Sequence, residues 1–424
     1  MIKKAFTPAL CFCSLLLVTS VSHAFIKSSG SEREKVYENS TLNDVYETTG
    51  VAEQIWDRLT TEFVNYYEKG RYTNATATAK AAYDLSMSAF GPNHINTADS
   101  MLKLGIVYET LGDLKSAKDY MLRAKTILED KLGPNHEDVA VVLTNLANVY
   151  FEENEVEMSE KYHLRALQIR KDSMGERDVA VAQSQYNLAV LYDDILDYEK
   201  AVKYYESAIN IWNSTLGAAH PYVANALNNL ANVYMAMDKM DLAEELHNHS
   251  LAIRKILYGN VHAEVARSLI NLGALHVKQN NYDKAKPYYK EAVSVAEKLF
   301  GPTHPQVAML LYSLANIYHI QGRMDRNQEE ELAVKKVNFN PAQTGKFNTV
   351  DQLNSKISNL HKSSETYFAQ ALPLYERALK ILDNTIGTDH PAMSAMISEL
   401  ALLYKSIGRN FDAEQMQARI HKPN

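Results

Sequence analysis

The sequence predicts an all-α fold, an α-solenoid of stacked antiparallel helix pairs. Two observations predict it: a fixed interval of 42 residues between glycines, and two helical segments within each interval. An interval kept over that length indicates one supersecondary unit copied end to end, because a single globular domain has no fixed period. The glycines are Gly91, Gly133, Gly175, Gly217, Gly259 and Gly301.

The residues around these glycines indicate helix ends. Gly133-Pro134-Asn135-His136 and Gly301-Pro302-Thr303-His304-Pro305 show the pattern, which returns at Gly387-Thr388-Asp389-His390-Pro391. A glycine can end a helix in the left-handed conformation, and a proline is tolerated at the first position of the next helix. We therefore expect one helix to stop and another to start at each glycine.

Between glycines the apolar residues follow a helical period. The stretches Pro221–Met237 and Asp241–Leu257 are the clearest example, with a short polar turn between them. Positions three, four and seven residues apart share one helical face. These faces consist of Leu227, Leu230, Ala231 and Tyr234 in the first stretch and of Ala243, His247, Ser250 and Ile253 in the second.

Large and small residues alternate between the two helices of a pair. A tyrosine late in the first helix is followed nine residues later by an alanine in the second, which predicts close helix packing around a ring. The tyrosines are Tyr66, Tyr108, Tyr150, Tyr192, Tyr234, Tyr318 and Tyr404, and the alanines are Ala75, Ala117, Ala201, Ala243 and Ala413.

The frame Leu-Ala-x-x-Tyr, then Gly, then Ala, then Ala-Leu-x-Ile resembles the tetratricopeptide repeat. Its fullest matches are Asn145–Tyr150 and Asn229–Tyr234. The 42-residue period and the Leu-Gly-x-x-His-Pro linker are similar to the repeat of kinesin light chain. This resemblance extends from about Val51 to the end, apart from one insertion, and implies a right-handed superhelical α-solenoid.

In repeats of this type the first helices line a concave groove, and the residue before the Leu-Ala pair points into it. The resemblance implies that asparagines there contact a bound peptide, because a carboxamide can hold an extended backbone whatever its side chains. Asn145, Asn187, Asn229 and Asn271 occupy this position, and Asn148, Asn232 and Asn316 form a second set three residues on. Alternatively, these asparagines belong to the repeat consensus and bond to a neighbouring helix.

The charges near the groove differ from those of repeats that bind a C-terminal carboxylate. Such repeats surround the asparagine with Lys and Arg, whereas here few basic residues face several acidic ones. This distribution disfavours a carboxylate clamp and favours a neutral or locally basic ligand segment. The basic positions are Lys103, Lys278 and Lys405, and the acidic ones are Glu109, Glu152, Asp193, Asp194 and Glu399.

The motifs do not predict an enzyme or a metal site. His94, His136, His220, His262, His304 and His390 lie in successive linkers. Ligands of one zinc ion must converge at bonds of about 2 Å, so we expect these histidines to cap helices instead. No phosphate-binding loop, nucleophile elbow or His-Glu-x-x-His motif is present in the sequence, and no cofactor is predicted.

The first 24 residues have the pattern of a signal peptide. Lys3 and Lys4 precede a mostly apolar run, and Ser22-His23-Ala24 stands before Phe25. We expect cleavage there and a periplasmic or secreted product, with an uncleaved membrane anchor as the alternative. Both cysteines of the chain lie within this segment, so no disulfide is expected in the product.

The predicted organisation has five parts. Residues 1–24 are the signal peptide, 25–50 a polar leader, 51–325 about six repeats and the first helix of a seventh, 326–367 an insertion, and 368–424 the rest of the seventh repeat and a capping repeat. The insertion contains the breakers Phe339-Asn340-Pro341 and Thr344-Gly345-Lys346 between segments of helical character, 329–337 and 350–361. We expect it to project from one edge of the stack.

Composition favours a protein ligand. The net charge is −7 and no basic stripe is present, which argues against nucleic acid. We therefore predict an exported, non-catalytic scaffold that binds an extended segment of another protein in the concave groove. The alternative is a self-assembling structural protein whose insertion mediates the contacts between copies.

Overall fold

The computed structural model describes residues 43–337, 350–385 and 391–420. Within these ranges the chain forms α-helices joined by short turns, and no strand is present. The helices are α1 Asn43–Glu68, α2 Tyr72–Ala89, α3 Ile95–Thr110, α4 Leu114–Leu132, α5 Glu137–Glu152, α6 Val156–Met174, α7 Val179–Asp194, α8 Tyr198–Thr215, α9 Pro221–Ala236, α10 Met240–Tyr258, α11 Ala263–Lys278, α12 Tyr282–Phe300, α13 Pro305–Val337, α14 Val350–Thr385, α15 Pro391–Ser406 and α16 Asn410–Ile420.

The helices pack as consecutive pairs, from α1 with α2 to α15 with α16, and in α9 and α10 the contact includes Ala231, Tyr234 and Ala243. In every pair except α13 and α14, whose connection lies outside the described residues, a short turn joins two antiparallel helices. This arrangement confirms the predicted all-α solenoid of helix pairs. The chain divides between Ala226 and Leu227 into two compact units, which we call the N-terminal and the C-terminal unit. The predicted signal peptide, the leader up to residue 42 and the linker residues Gly387 to His390 lie outside the described residues.

Each described linker between pairs contains a glycine and a helix cap. The six periodic glycines all have positive φ, between 74° and 92°. Nδ1 of the linker histidine then accepts a hydrogen bond from the backbone N–H two residues on, as in His94 to Asn96 and His136 to Asp138. His220, His262 and His304 do the same, which confirms their expected role as helix caps.

The expectation for proline is correct for one linker type and wrong for the other. Pro221 and Pro305, which follow the histidine, are the first residues of α9 and α13. Pro92 and Pro134, which follow the glycine, lie in the turn, and α3 and α5 begin after the histidine cap. The cap residue is extended, so the chain needs these turn residues before it can enter the helix.

Aromatic rings fill the space within each pair. Tyr234 packs against Ala231 and Ala243, as the nine-residue spacing predicts. The tyrosine at this position also stacks on a second ring twelve residues later, as in Tyr150 on Tyr162, with centroids 5.3 Å apart. A Cβ added at Gly273 would lie 2.6 Å from Cε2 of Tyr289, so the close approach requires a small residue there.

The insertion lengthens the helices of one pair. The first helix α13 has 33 residues, whereas α11 has 16, and both segments of expected helical character lie within α13 and α14. The added turns pack on each other through Leu332, Leu353 and Leu360. Residues 338–349, between these helices, lie outside the described part of the chain.

Two histidines are buried at equivalent positions 84 residues apart, His163 in α6 and His247 in α10. Burial, together with the smaller effect of the nearby charges of Arg170 and Arg254, lowers the pKa of His163 to about 3 and that of His247 to about 4. Each histidine is therefore neutral in the folded protein at neutral pH.

These histidines predict sensitivity to acid. Below pH 6.5 the unfolded chain binds a proton at each imidazole and the folded chain does not, so stability falls as the pH falls towards the folded pKa values. The loss between pH 7 and pH 5 is about 2 kcal/mol per histidine. We expect the His163→Met/His247→Met variant, which copies Met121 at the same repeat position, to show a smaller difference in Tm between these pH values than the wild type.

The control is His249→Gln, at an exposed position of α10. This variant should keep the wild-type difference in Tm. An unchanged difference in the double variant would contradict the assignment of acid sensitivity to the buried pair.

Candidate functional site

The N-terminal unit contains two of the asparagines that precede the Leu-Ala pair. Asn145 in α5 is half-buried, and its Nδ2 donates to Val141 O at 2.9 Å. Asn187 in α7 is buried, and its Oδ1 accepts from Nε2 of Gln183 at 3.0 Å. Both bonds are made within one helix, so exchanging either for a bond to a ligand leaves the contacts between helices intact.

In the C-terminal unit the equivalent asparagines are linked between repeats. Nδ2 of Asn271 in α11 donates to Oδ1 of Asn228 in α9 at 2.7 Å. Asn228 is buried and stands immediately before Asn229, which is half-buried. The bond from Asn271 therefore joins the first helices of neighbouring pairs, as the alternative reading of these asparagines expected.

The second set of asparagines has three different environments. Asn232 in α9 is exposed and Asn148 in α5 is half-buried. Asn316 in α13 is buried, and its Oδ1 accepts a hydrogen bond from the hydroxyl of Tyr375 in α14. Asn316 thus holds the two helices of its own pair together, whereas Asn148 and Asn232 present their amides to solvent.

Asn316 lies in a cluster of polar side chains. Nδ1 of His319 lies 3.4 Å from the hydroxyl of Tyr375 and 3.6 Å from Oε2 of Glu399 in α15. Burial raises the pKa of Tyr375 well above its usual range, and the charge of Glu399 adds to the effect. The phenol therefore remains protonated and serves as a hydrogen-bond donor.

Charged residues on the first helices of the N-terminal unit are mostly acidic. Lys103 in α3 is buried and paired with Asp99, with 2.5 Å between Nζ and Oδ2. Glu109, at the end of α3, is partly buried, and burial together with the charge of Glu152 raises its pKa to about 8. Burial likewise raises the pKa of Asp193 to about 6, with a further contribution from Asp194.

The matching helix ends of the C-terminal unit carry basic groups. Lys278 ends α11, and its Nζ donates to Met235 O at 2.5 Å. Lys405 lies in the last turn of α15. Both units carry charges of both signs at the expected positions, because Lys103 lies in the N-terminal unit and Glu399 lies with Lys405 in α15.

Sequence reasoning missed the buried arginines beside the two histidines. Arg170 Nη1 donates to Ser184 Oγ at 2.5 Å, and Arg254 Nη1 donates to Ser268 Oγ at 2.6 Å. Each bond joins the second helix of one pair to the first helix of the next. A search at 84 residues rather than 42 reveals the signal, because Trp212 occupies the same repeat position between the two arginines.

The half-buried and exposed side chains of the first helices include amides, carboxylates and apolar groups, which can all contact a ligand. Within the described residues no group of three or more His, Cys, Asp or Glu side chains could hold a metal ion. Over the same residues, no helix has the length and apolar character needed to cross a membrane.

The comparison with protein families agrees with the helix pairs. The family model described as the tetratricopeptide repeat matches residues 64–130, 138–214, 222–298 and 278–326, which is more than half of the chain. The chain belongs to the tetratricopeptide repeat family. Such repeats form protein-interaction scaffolds, and this protein is one of them. No curated protein sequence matches the chain.

Solved structures of other tetratricopeptide repeat proteins are similar to this one. A signal transduction ATPase with numerous domains and a tetratricopeptide repeat sensor, from Pyrococcus horikoshii, is 12% identical with a TM-score of 0.59, covering 88% of this chain and 48% of its own. A putative kinesin light chain from Podosopora anserina is 20% identical with a TM-score of 0.44, covering 49% and 98%. BtubC from P. vanneervenii is 20% identical with a TM-score of 0.45, covering 61% and 92%. At these identities the first structure supports the fold alone.

The raised pKa of Glu109 predicts a stability that depends on pH. Between pH 4.5 and about 8 this carboxyl is protonated in the folded chain and ionised in the unfolded chain, so stability falls as the pH rises through that window. Glu109→Gln removes the effect, and its gain in Tm over the wild type should be larger at pH 8 than at pH 5. Glu157→Gln, at an exposed position of α6, should show no such difference. An equal gain at both pH values would contradict the assignment.

Proposed function

We propose that the protein is an exported, non-catalytic scaffold that binds an extended peptide segment of another protein in the groove lined by its first helices. The tetratricopeptide repeat fold supports the scaffold, and the signal-peptide pattern of residues 1–24 supports export. The observation that carries peptide binding is the amide that recurs at one repeat position of consecutive first helices, in α5 and α7 of the N-terminal unit and in α9 and α11 of the C-terminal unit. An extended backbone offers one N–H and one C=O per residue, and amide side chains can pair with both.

We assign the asparagines two different roles according to their environments. Asn145, Asn148 and Asn187 in the N-terminal unit and Asn232 in the C-terminal unit are each proposed to contact a peptide bound to their own unit, because their amides are accessible or are held by bonds within a single helix. Asn229 is half-buried beside Asn228 and joins this set. The remaining two, Asn271 and Asn316, are proposed to position the helices, since each already bonds to another helix.

The test is binding of the full chain to an array of random fifteen-residue peptides. The Asn145→Ala/Asn187→Ala variant should lose most of the bound peptides, with Kd raised about tenfold or more, because each lost amide removes two backbone hydrogen bonds. Asn248→Ala is the matched control. Its Nδ2 makes the same type of bond within its helix, to Glu244 O at 2.9 Å, but it lies exposed on the second helix α10.

The control should bind the same peptides as the wild type, and all variants should melt at the wild-type temperature. If the double variant binds every peptide with unchanged affinity, these asparagines do not contribute to peptide binding.

Self-association through the lengthened helices α13 and α14 is a second candidate. Val334 and Val337 in the added part of α13 are 65% and 84% exposed, which favours a contact with another molecule. If the candidate is right, the full chain should sediment as an oligomer and Val334→Ser/Val337→Ser should sediment as a monomer. A wild-type chain that stays monomeric at all concentrations would eliminate this candidate.

A further inference from the structure

Helix α1 lies at the end of the stack, and within the described residues no helix precedes it. The first helix of a later pair packs on helices of three kinds, as α5 does on α3, α4 and α6, whereas α1 contacts α2 and α3. One face of α1 therefore lacks the cover that a preceding pair gives to α5. We call it the open face, and its residues share one side of the helix. They are Val51, Ile55, Arg58, Leu59 and Glu62.

The open face is apolar towards the start of α1. Val51 is 56% exposed and Ile55 is 38% exposed. At the repeat position of Ile55, the residue of every later pair is fully buried. These residues are Thr97, Val139, Val181, Val223, Val265, Val307 and Met393. The exposure of Ile55 is thus an exception within the repeats, and it arises where the preceding pair is missing.

Towards the end of α1 the open face is charged instead. Arg58 and Glu62 are exposed and form a long ion pair, with 4.0 Å between Nε and Oε1. Glu62 stands at the repeat position of Leu104, which is 2% exposed. A terminal repeat needs a polar outer face to remain soluble. The face meets this requirement at Arg58 and Glu62 but not at Val51 and Ile55.

The chain that precedes α1 can reach the apolar part of this face. Residues 25–42 of the predicted leader join α1 at its start, and they contain the adjacent apolar residues Val36 and Tyr37. At 1.5 Å per residue, Ile55 lies about 18 Å along the helix from its first residue and Glu62 about 28 Å. The six residues from Tyr37 to the helix span up to about 20 Å when extended. The apolar part of the open face is therefore the part within reach of Tyr37.

The small size of the apolar part favours an occupant from the same chain. Stable contacts between separate molecules bury about 1,200 to 2,000 Å² in total, which is far more than the aliphatic side chains of Val51, Ile55 and Leu59 can supply. A tethered segment needs less area, because its effective concentration is on the order of millimolar. The leader is therefore a better occupant than a second copy or another protein.

We propose that residues 25–42 turn back along α1 and cover its open face with Val36 and Tyr37. The segment then takes the place that the second helix of a preceding pair takes on a later first helix. In this role the leader is the cap of the stack. The inference does not depend on peptide binding in the groove.

The test measures amide hydrogen exchange of the full chain at residues 50–59, because exchange there reports the local opening of α1. The leader variant Val36→Asp/Tyr37→Asp places two charges in the proposed contact. We expect these amides to exchange about tenfold faster than in the wild type, because the contact loses its buried apolar groups and charged groups are costly to bury. The control variant Ser28→Asp/Ser29→Asp adds the same charge to the leader and should exchange as the wild type does.

A second variant changes the helix face. Ile55→Asp should also accelerate exchange at residues 50–59, and in its background the leader variant should have no further effect, because both changes break the same contact. Ile256→Asp, at a position of α10 that is 73% exposed, is the control for an aspartate on a helix surface. It should leave the exchange of residues 50–59 unchanged.

Unchanged exchange in the leader variant overturns the inference. An equal acceleration in the Ser28→Asp/Ser29→Asp control overturns it as well, because the effect then reflects the charge of the leader. So does a full effect of the leader variant in the Ile55→Asp background, since the two changes then act at different places. Sedimentation tests the other occupant: a wild-type dimer that Ile55→Asp converts to a monomer shows that a second copy covers the open face, and this result also overturns the inference.

Discussion

The close approach of the two helices in each pair is the contact on which the rest of the molecule depends. A ring such as Tyr234 fits between the helices because the position on the partner helix is held by the small Ala243, and Ala231 on its own helix is also small. A pair packed in this way still exposes an apolar face, which it can bury only against the next pair. Stacking within each unit is therefore a consequence of the packing within each pair. The 42-residue period in the sequence corresponds to one such pair.

The same geometry determines which residues are free for function. One side of a first helix packs on its own second helix, and another side packs on the neighbouring pair. The strip that remains has no partner within the repeat, so its residues can vary without loss of packing. Asn145, Glu152 and Asp194 lie on that strip, and their amides and carboxyl groups are available to a ligand because the fold does not need them.

Buried polar groups distinguish individual repeats in a stack of helix pairs that would otherwise be alike. Arg170 and Arg254 each reach a serine of the next pair, and each lies beside a neutral histidine. A shift of the stack by one repeat would place Val142, Ala226 or Leu310 where the arginine finds its serine. Because an unpaired buried charge is strongly unfavourable, these contacts favour one order of repeats over the others.

The sequence by itself determined the fold class, the helix pairs and the capping histidines, because each depends on local periodicity and on residue types that fix the backbone. It also located both helical segments of the insertion. Only the tertiary structure separated the asparagines into those with bonds inside one helix, such as Asn145, and those that join helices, such as Asn271 and Asn316. A repeat position specifies which face a side chain lies on, but its hydrogen-bond partner comes from another helix, whose distance and rotation no local pattern encodes. For the same reason the enclosure of Glu109 near Glu152, which raises the pKa of its carboxyl, became visible only in three dimensions.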